Sequence, residues 1–183
     1  MKRVLINRLV YLIIVTLMLF AALEKKYYIV LIPIISWILV ERVFWKNFHE
    51  GKKLMRKLKY KSAVEKFNEF LKDIENKPWL KKLRFLNYGV YTHNLKAMTY
   101  NNIGICYLES NLLNKATDYF EKAKQEDEQF CIPYYNLAII ELIKDNEEKA
   151  FENLKKSIKL GYNRVKMAQL KGYVHARYKM EGK

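Results

Sequence analysis

The chain has 183 residues, 34 of them Lys or Arg and 19 Asp or Glu, and its formal net charge is +15. Its first quarter differs in composition from the rest, which favours a separate segment followed by one domain. Two cysteines, Cys106 and Cys131, and three widely separated histidines exclude a disulfide framework and suggest no metal site, so we interpret the cysteines as reduced and buried.

The charge is unevenly distributed along the sequence. Residues 1–45 carry a net charge of +4, residues 46–96 +9, residues 97–150 −5 and residues 151–183 +7. Basic flanks beside an apolar segment favour attraction to anionic lipid head groups, so membrane lipids are a predicted partner. A nucleic-acid partner is not favoured, because the sequence has no recognition motif and no continuous basic face.

The first predicted element is an apolar run over residues 4–23, with one charge at Arg8. At about 1.5 Å per residue, such a helix matches the hydrocarbon thickness of a bilayer. A second apolar run covers residues 27–45, and it is long enough to span only if Arg42 lies among the head groups. The sequence therefore predicts an N-terminal transmembrane helical hairpin over residues 1–45, acting as a membrane anchor.

Basic residues at both ends of this hairpin predict its orientation. The positive-inside rule places both termini and the rest of the chain in the cytoplasm, as a two-span protein of the cell membrane. A cleaved signal peptide, a single span with an interfacial helix, or a shallow hairpin remain as alternatives. The predicted membrane-interface residues are Arg8, Trp37, Arg42, Trp45, Trp79, Lys81, Lys82 and Arg84.

Two consecutive segments further along share a pattern with a period of 34 residues. The first unit has Tyr100, Ile103, Gly104, Tyr107, Ala116, Phe120 and Ala123, and the second has Tyr134, Leu137, Ala138, Ala150, Leu154 and Ser157. These spacings place each set on one face of two successive helices, with small residues where the helices approach. The pattern resembles the tetratricopeptide repeat, a 34-residue helix-turn-helix unit with an aromatic-Leu-Gly-Tyr signal followed by Ala and Phe.

This resemblance implies an all-α fold, in which an α-solenoid of about three repeats and a capping helix follow the anchor. A weaker first unit is indicated because Gly51 and Phe67 repeat the interval between Gly104 and Phe120. The predicted cytoplasmic repeat domain covers residues 46–183. Its parts are repeats at about 44–77, 97–130 and 131–164, an insert at 78–96 and a cap at 165–180.

The insert interrupts the repeat period and is open to two interpretations. Its aromatic residues alternate with lysines and arginines after Pro78, as in a short basic amphipathic helix. Such a helix would lie on the inner leaflet of the membrane. Alternatively, the insert lengthens two repeat helices, and its aromatic residues pack against the stack.

No catalytic constellation is visible, so the sequence predicts neither an enzyme nor a cofactor. The first helices of successive repeats line a concave face, which usually receives a peptide or helix of a partner protein. The residues of these helices that are not needed for packing between the repeat helices form the predicted groove. They are Met98, Asn101, Asn102, Ile105, Leu108, Glu109, Ile132, Tyr135, Asn136, Ile139, Leu142 and Ile143.

Two asparagines, Asn102 and Asn136, occur at equivalent phases of the groove. The resemblance implies that an asparagine here can bind the backbone or terminal carboxylate of a ligand, although Asn is also ordinary at this phase. Asn101 and Tyr135 stand where the Lys and Arg of a two-sided carboxylate clamp would be, so we do not predict that clamp. The apolar groove residues either form an exposed patch for a partner or lie beneath the cap or the insert.

The functional prediction is an adaptor or scaffold anchored in the membrane, whose groove binds a peptide or helix of another protein at the cytoplasmic face. The alternative is a structural subunit or assembly factor of a membrane complex, in which the transmembrane hairpin makes the main contacts. Few polar residues are available in the apolar runs for helix association, which weakens that alternative.

Overall fold

A computed structural model of the chain describes residues 42–77, 92, 94–162 and 166–179, with residues 12, 13, 15–17, 19, 20, 23, 31, 35, 38 and 39 of the N-terminal region. All regular structure in this part is helical, so the all-α prediction is confirmed. The helices are α1 (Lys46–Arg56), α2 (Tyr60–Asn76), α3 (Leu95–Glu109), α4 (Leu113–Glu126), α5 (Cys131–Ile143), α6 (Glu147–Lys159) and α7 (Met167–Val174), followed by a π-helical turn (His175–Lys179).

Consecutive helices pair as α1–α2, α3–α4 and α5–α6, and the pairs stack in chain order through α2 on α3 and α4 on α5. Within the first two pairs a phenylalanine ring lies against a glycine. A Cβ atom on Gly51 would lie 2.7 Å from the Phe67 ring, and one on Gly104 would lie 2.5 Å from the Phe120 ring. The repeat interval in the sequence therefore corresponds to one packing contact that recurs in successive helix pairs.

The turn inside each pair has the same backbone geometry. Leu58, Asn111 and Asp145 follow the first helix of their pairs and have φ values of 58°, 56° and 59°. The next residue in each case donates its backbone N–H to a carbonyl in the last turn of the helix, over 2.8 to 3.0 Å. This is a Schellman ending, for which Asn and Asp are well suited and a leucine is strained.

The first core surrounds an aromatic group at the start of α1. Trp45 is 2% exposed, and its ring lies 5.6 Å from Phe48 and 5.5 Å from Phe70, measured between centroids. Phe70 occupies a place where the repeat pattern expects a small residue, and it is fully buried. Trp45, which we assigned to a membrane interface, thus lies inside the first helix pair.

The structure corrects the predicted membrane topology. Among the residues that it describes, no helix combines the length and apolar character needed to cross a membrane. On this finding the predicted localisation, a two-span cell-membrane protein with cytoplasmic termini and repeats, is wrong. Most of residues 1–41 and all of residues 78–91 lie outside the described part, and the predicted transmembrane hairpin and most of the insert fall there.

Replacement of Gly104 by alanine tests the recurring contact. The new methyl group would overlap the buried Phe120 ring, so Gly104→Ala is expected to lower the free energy of unfolding by about 1–3 kcal/mol. Gly172→Ala is the matched control, because a Cβ atom on Gly172 would have no neighbour within 4 Å and alanine favours a helix. Urea denaturation measures both, and equal stability of the two variants would contradict the packing described.

Candidate functional site: the concave face of α3 and α5

The twelve predicted groove residues all lie on α3 and α5, and none is exposed. Those that are buried are Met98, Asn101, Leu108, Asn136, Ile139 and Leu142. Those that are half-buried are Asn102, Ile105, Glu109, Ile132, Tyr135 and Ile143. The concave face is therefore already covered in part, and it is not an open apolar patch.

The C-terminal segment, residues 166–179, covers much of this face. Leu170 is fully buried and Val174 is 2% exposed, and both belong to the core cluster that contains Leu108, Ile139 and Leu142. Met167 and Tyr178 pack against the same cluster. The structure thus presents coverage of apolar groove residues by the cap, whereas coverage by the insert concerns residues that lie mostly outside the described part.

The segment departs from the path of a further repeat. In the preceding pairs, the second helix is covered by the first helix of the next pair. By contrast, α7 packs on α5, a first helix, and makes few contacts with α6. The chain thus turns from the end of the stack onto the concave face.

Glu109, the last residue of α3, holds the far end of this segment. The Tyr178 hydroxyl donates a hydrogen bond of 2.8 Å to Oε1 of Glu109, and the Arg177 guanidinium pairs with Oε2. The hydrogen bond to Glu109 raises the pKa of Arg177. Burial, and then the bond to Glu109, raise the pKa of Tyr178, and burial and the Glu109 carboxylate also raise the pKa of Tyr60 at the start of α2.

A second ion pair joins α7 to α6. Nζ of Lys171 lies 2.5 Å from Oε2 of Glu147, the first residue of α6. Both side chains are substantially exposed, so this pair contributes little to stability. Glu109 is different, because only 16% of its side chain is exposed and it has two partners. The Glu109 contacts are therefore the principal polar attachment of the segment.

The groove asparagines bind each other or the backbone. Nδ2 of Asn136 donates to Oδ1 of Asn101 over 2.9 Å, and both residues are buried. Asn102 donates to the carbonyl oxygen of Met98 over 3.0 Å. The sequence pattern placed Asn102 and Asn136 at equivalent phases, whereas the structure pairs Asn136 with Asn101 and ties the two first helices together.

The remaining predicted sites are distributed as follows. Arg42 is exposed, and the other predicted interface residues apart from Trp45 lie outside the described part: Arg8, Trp37, Trp79, Lys81, Lys82 and Arg84.

Cys106 and Cys131 are free thiols, and burial raises the pKa of Cys106 to about 12. The described residues contain no cluster of His, Cys, Asp or Glu suited to a metal ion.

Sequence reasoning missed the residues of the C-terminal segment that occupy the face. Leu170, Val174 and Tyr178 recur every four residues and so share one side of a helix. That spacing was an available signal for an apolar surface. It did not indicate which helices the surface would meet, because Arg177 and Glu109 are 68 residues apart in sequence.

No family model matches the chain, and no curated protein matches it. A structure described as "MamA RS-1 ArsTM double mutant" matches 76% of this chain and 68% of its own, at 18% identity and a TM-score of 0.48. "MamA 41-end from Desulfovibrio magneticus RS-1" matches 77% of this chain and 75% of its own, at the same identity and TM-score. YrrB, described as "a TPR protein with an unusual peptide-binding site", matches 87% of this chain and 90% of its own, at 18% identity and a TM-score of 0.37.

The predicted resemblance to the tetratricopeptide repeat is confirmed in the stacked helix pairs and their recurring glycine–phenylalanine contacts. At 18% identity, the matched structures are similar to this chain in fold alone.

Removal of the Glu109 carboxylate is expected to loosen the C-terminal segment. Glu109→Ala leaves the half-buried Tyr178 hydroxyl without its acceptor and costs about 1–3 kcal/mol of stability. Backbone hydrogen exchange of residues 167–178 should accelerate, while exchange in α1 changes little. Glu121→Ala, which removes an i,i+3 ion pair with Lys124, is the control and should leave the segment protected. Equal exchange in the two variants would refute this attachment.

Alkaline pH should weaken the same attachment. The pKa of Tyr178 is higher in the folded chain than its ordinary value of 10.0, so the folded state binds the phenolic proton more tightly than the unfolded state. The contribution of this proton to the free energy of unfolding is fully present below pH 10.0 and is lost progressively above it. Tyr178→Phe cannot ionise, so the stability advantage of the wild type over this variant should decrease as the pH rises above 10.0. Urea titrations at each pH measure it, and a constant difference would contradict the expectation.

Proposed function

We propose that this chain is a protein–protein interaction adaptor that binds an amphipathic helix of a partner on the concave face of α3 and α5. One observation carries the proposal: this face already holds a helix, the C-terminal segment, through both apolar and polar contacts. Binding of an amphipathic helix in an apolar groove is a common mode of peptide recognition, with anchors at helical spacing.

The bound segment indicates the chemistry of a suitable partner. Its contacts follow one helical face, with two aliphatic anchors at Leu170 and Val174 and a basic and an aromatic residue at Arg177 and Tyr178. A partner helix with this order would fill the same apolar surface and place its cation at Glu109. Residues 97–150, which form most of the face, carry net negative charge and would attract a basic helix.

The proposal does not include a membrane position. The alternative function, a subunit whose transmembrane hairpin makes the main contacts, depends on spans that no described helix provides. The buried Asn101–Asn136 pair instead supports a rigid platform, because it joins α3 and α5.

A trans-binding experiment on the full-length chain tests this function. Leu170→Asp places a charge in the buried anchor site, so the segment of the chain itself should leave the face. A fluorescein-labelled peptide with the sequence of residues 166–179 is then titrated, and its anisotropy is measured. The variant is expected to bind the peptide at least about tenfold more tightly than the wild type, where the attached segment competes at high effective concentration.

Ala168→Asp is the matched control, because Ala168 is exposed on the same helix and the segment should stay bound. Addition of Glu109→Ala to Leu170→Asp should weaken peptide binding again. The proposal is overturned if neither variant binds the peptide, or if both bind it equally. Circular dichroism verifies folding, and Arg177→Ala with Tyr178→Phe replaces Leu170→Asp if that variant unfolds, with the same order of affinities expected.

A further inference from the structure

The outer surface of α6 carries two large apolar residues that the rest of the described chain leaves uncovered. Phe151 is 55% exposed and Ile158 is 45% exposed. They are seven residues apart and therefore lie on the same side of the helix, at the edge of the buried side that carries Ala150 and Leu154. A terminal repeat usually presents a polar outer face, so two exposed apolar residues are unusual at the end of a stack.

Corresponding positions in the earlier helix pairs are covered by the next pair. In α2 they are Val64 and Leu71, which are half-buried against the first core. In α4 one of them is Lys124, whose Nζ lies 4.9 Å from the ring centroid of Tyr134 on α5. None of the described helices takes this place on α6, because α7 turns to α5 instead. The uncovered side of α6 is thus a stacking surface without its next helix.

Charged residues on this side of α6 follow an ordered pattern. Glu148 and Glu152 lie in its first half, and Lys155 and Lys159 lie in its second half. Together with the two apolar residues they fall within an arc of about 120° around the helix. All four charged residues are exposed, and none forms an ion pair with another residue in the part of the chain that the structure describes.

We propose that this surface binds a second copy of the chain, with the two α6 helices packed antiparallel about a two-fold axis. A single register brings Glu152 level with Lys155 of the other copy and Glu148 level with its Lys159, because both pairs are centred on the same point between residues 153 and 154. The symmetry repeats each contact, so the interface contains four intermolecular ion pairs. A parallel arrangement would instead oppose like charges, and the antiparallel one is therefore selected.

The apolar residues fit the same register. Phe151 of one copy and Ile158 of the other are within about 3 Å of being level along the helix axes. They cover each other and the aliphatic stem of Lys155. A helix of 13 residues is only about 20 Å long, so the contact is smaller than a typical permanent interface. The dimer is weak and reversible, and it forms at the end of the stack, away from the Glu109 contacts on the concave face.

Charge reversal tests this interface without disturbing the core. Sedimentation velocity of the full-length chain, from about 1 µM to 500 µM, should show a reversible monomer–dimer equilibrium. Glu152→Lys and Lys155→Glu each place like charges opposite one another twice per dimer, and each should weaken dimerisation at least about tenfold. The double variant Glu152→Lys with Lys155→Glu restores opposite charges and should recover most of the wild-type affinity. Phe151→Ala should weaken the dimer independently of charge.

Lys72→Glu, on the exposed side of α2, is the control for the change in net charge and should leave dimerisation unaltered. Recovery in the double variant supports the register, and because the two single variants change the net charge in opposite directions, an effect of net charge alone would not weaken association in both. The proposal is overturned if the chain stays monomeric over this range, or if the single reversals leave association unchanged. Growth beyond the dimer that survives both reversals would also overturn it, since head-to-tail stacking of copies does not close.

Discussion

A helix pair from this chain cannot cover its own apolar side, and the structure is organised by the need for each pair to be covered by the next. The recurring contact between a phenylalanine ring and a glycine brings the two helices of a pair close together. The remaining apolar residues of the second helix then face outward along the stack, where the first helix of the following pair buries them. Each pair is therefore stabilised by its neighbours. The first and last pairs of the described stack each have one apolar surface that no neighbouring pair covers.

The two ends of the stack differ in how their apolar surfaces are covered. At the beginning, Trp45, Phe48 and Phe70 make an aromatic core that is larger than the repeat pattern provides. At the other end, none of the described helices packs on the outer side of α6. The chain turns onto the concave face and buries Leu170 and Val174 there. One consequence is an occupied groove, and the other is an uncovered side of α6.

These two consequences give the protein two distinct surfaces with different physical characters. The concave face is apolar and bears the half-buried carboxylate of Glu109, which attaches its occupant through Arg177 and Tyr178, so exchange of that occupant requires local opening. The side of α6 is exposed, has two apolar residues and bears charges of both signs, so it can associate without any rearrangement. Binding at one surface does not require residues of the other.

The sequence by itself determined the local and periodic features. Gly51, Phe67, Gly104 and Phe120 recur at one interval, and that interval is sufficient to predict the helix pairs, their order and the all-α class, because these contacts form within a single repeat. The predicted localisation as a two-span membrane protein was wrong by the finding on the described helices, and the apolar Trp45 proved to belong to a repeat core.

Only the tertiary structure decided how the chain ends. The spacing of Leu170, Val174 and Tyr178 predicts an amphipathic segment but not its position, since its partner Glu109 lies 69 residues before Tyr178 and nothing local distinguishes α5 from α6 as the receiving helix. A choice between two surfaces of similar apolar character depends on the sum of long-range contacts, and that sum exists only once the chain is folded.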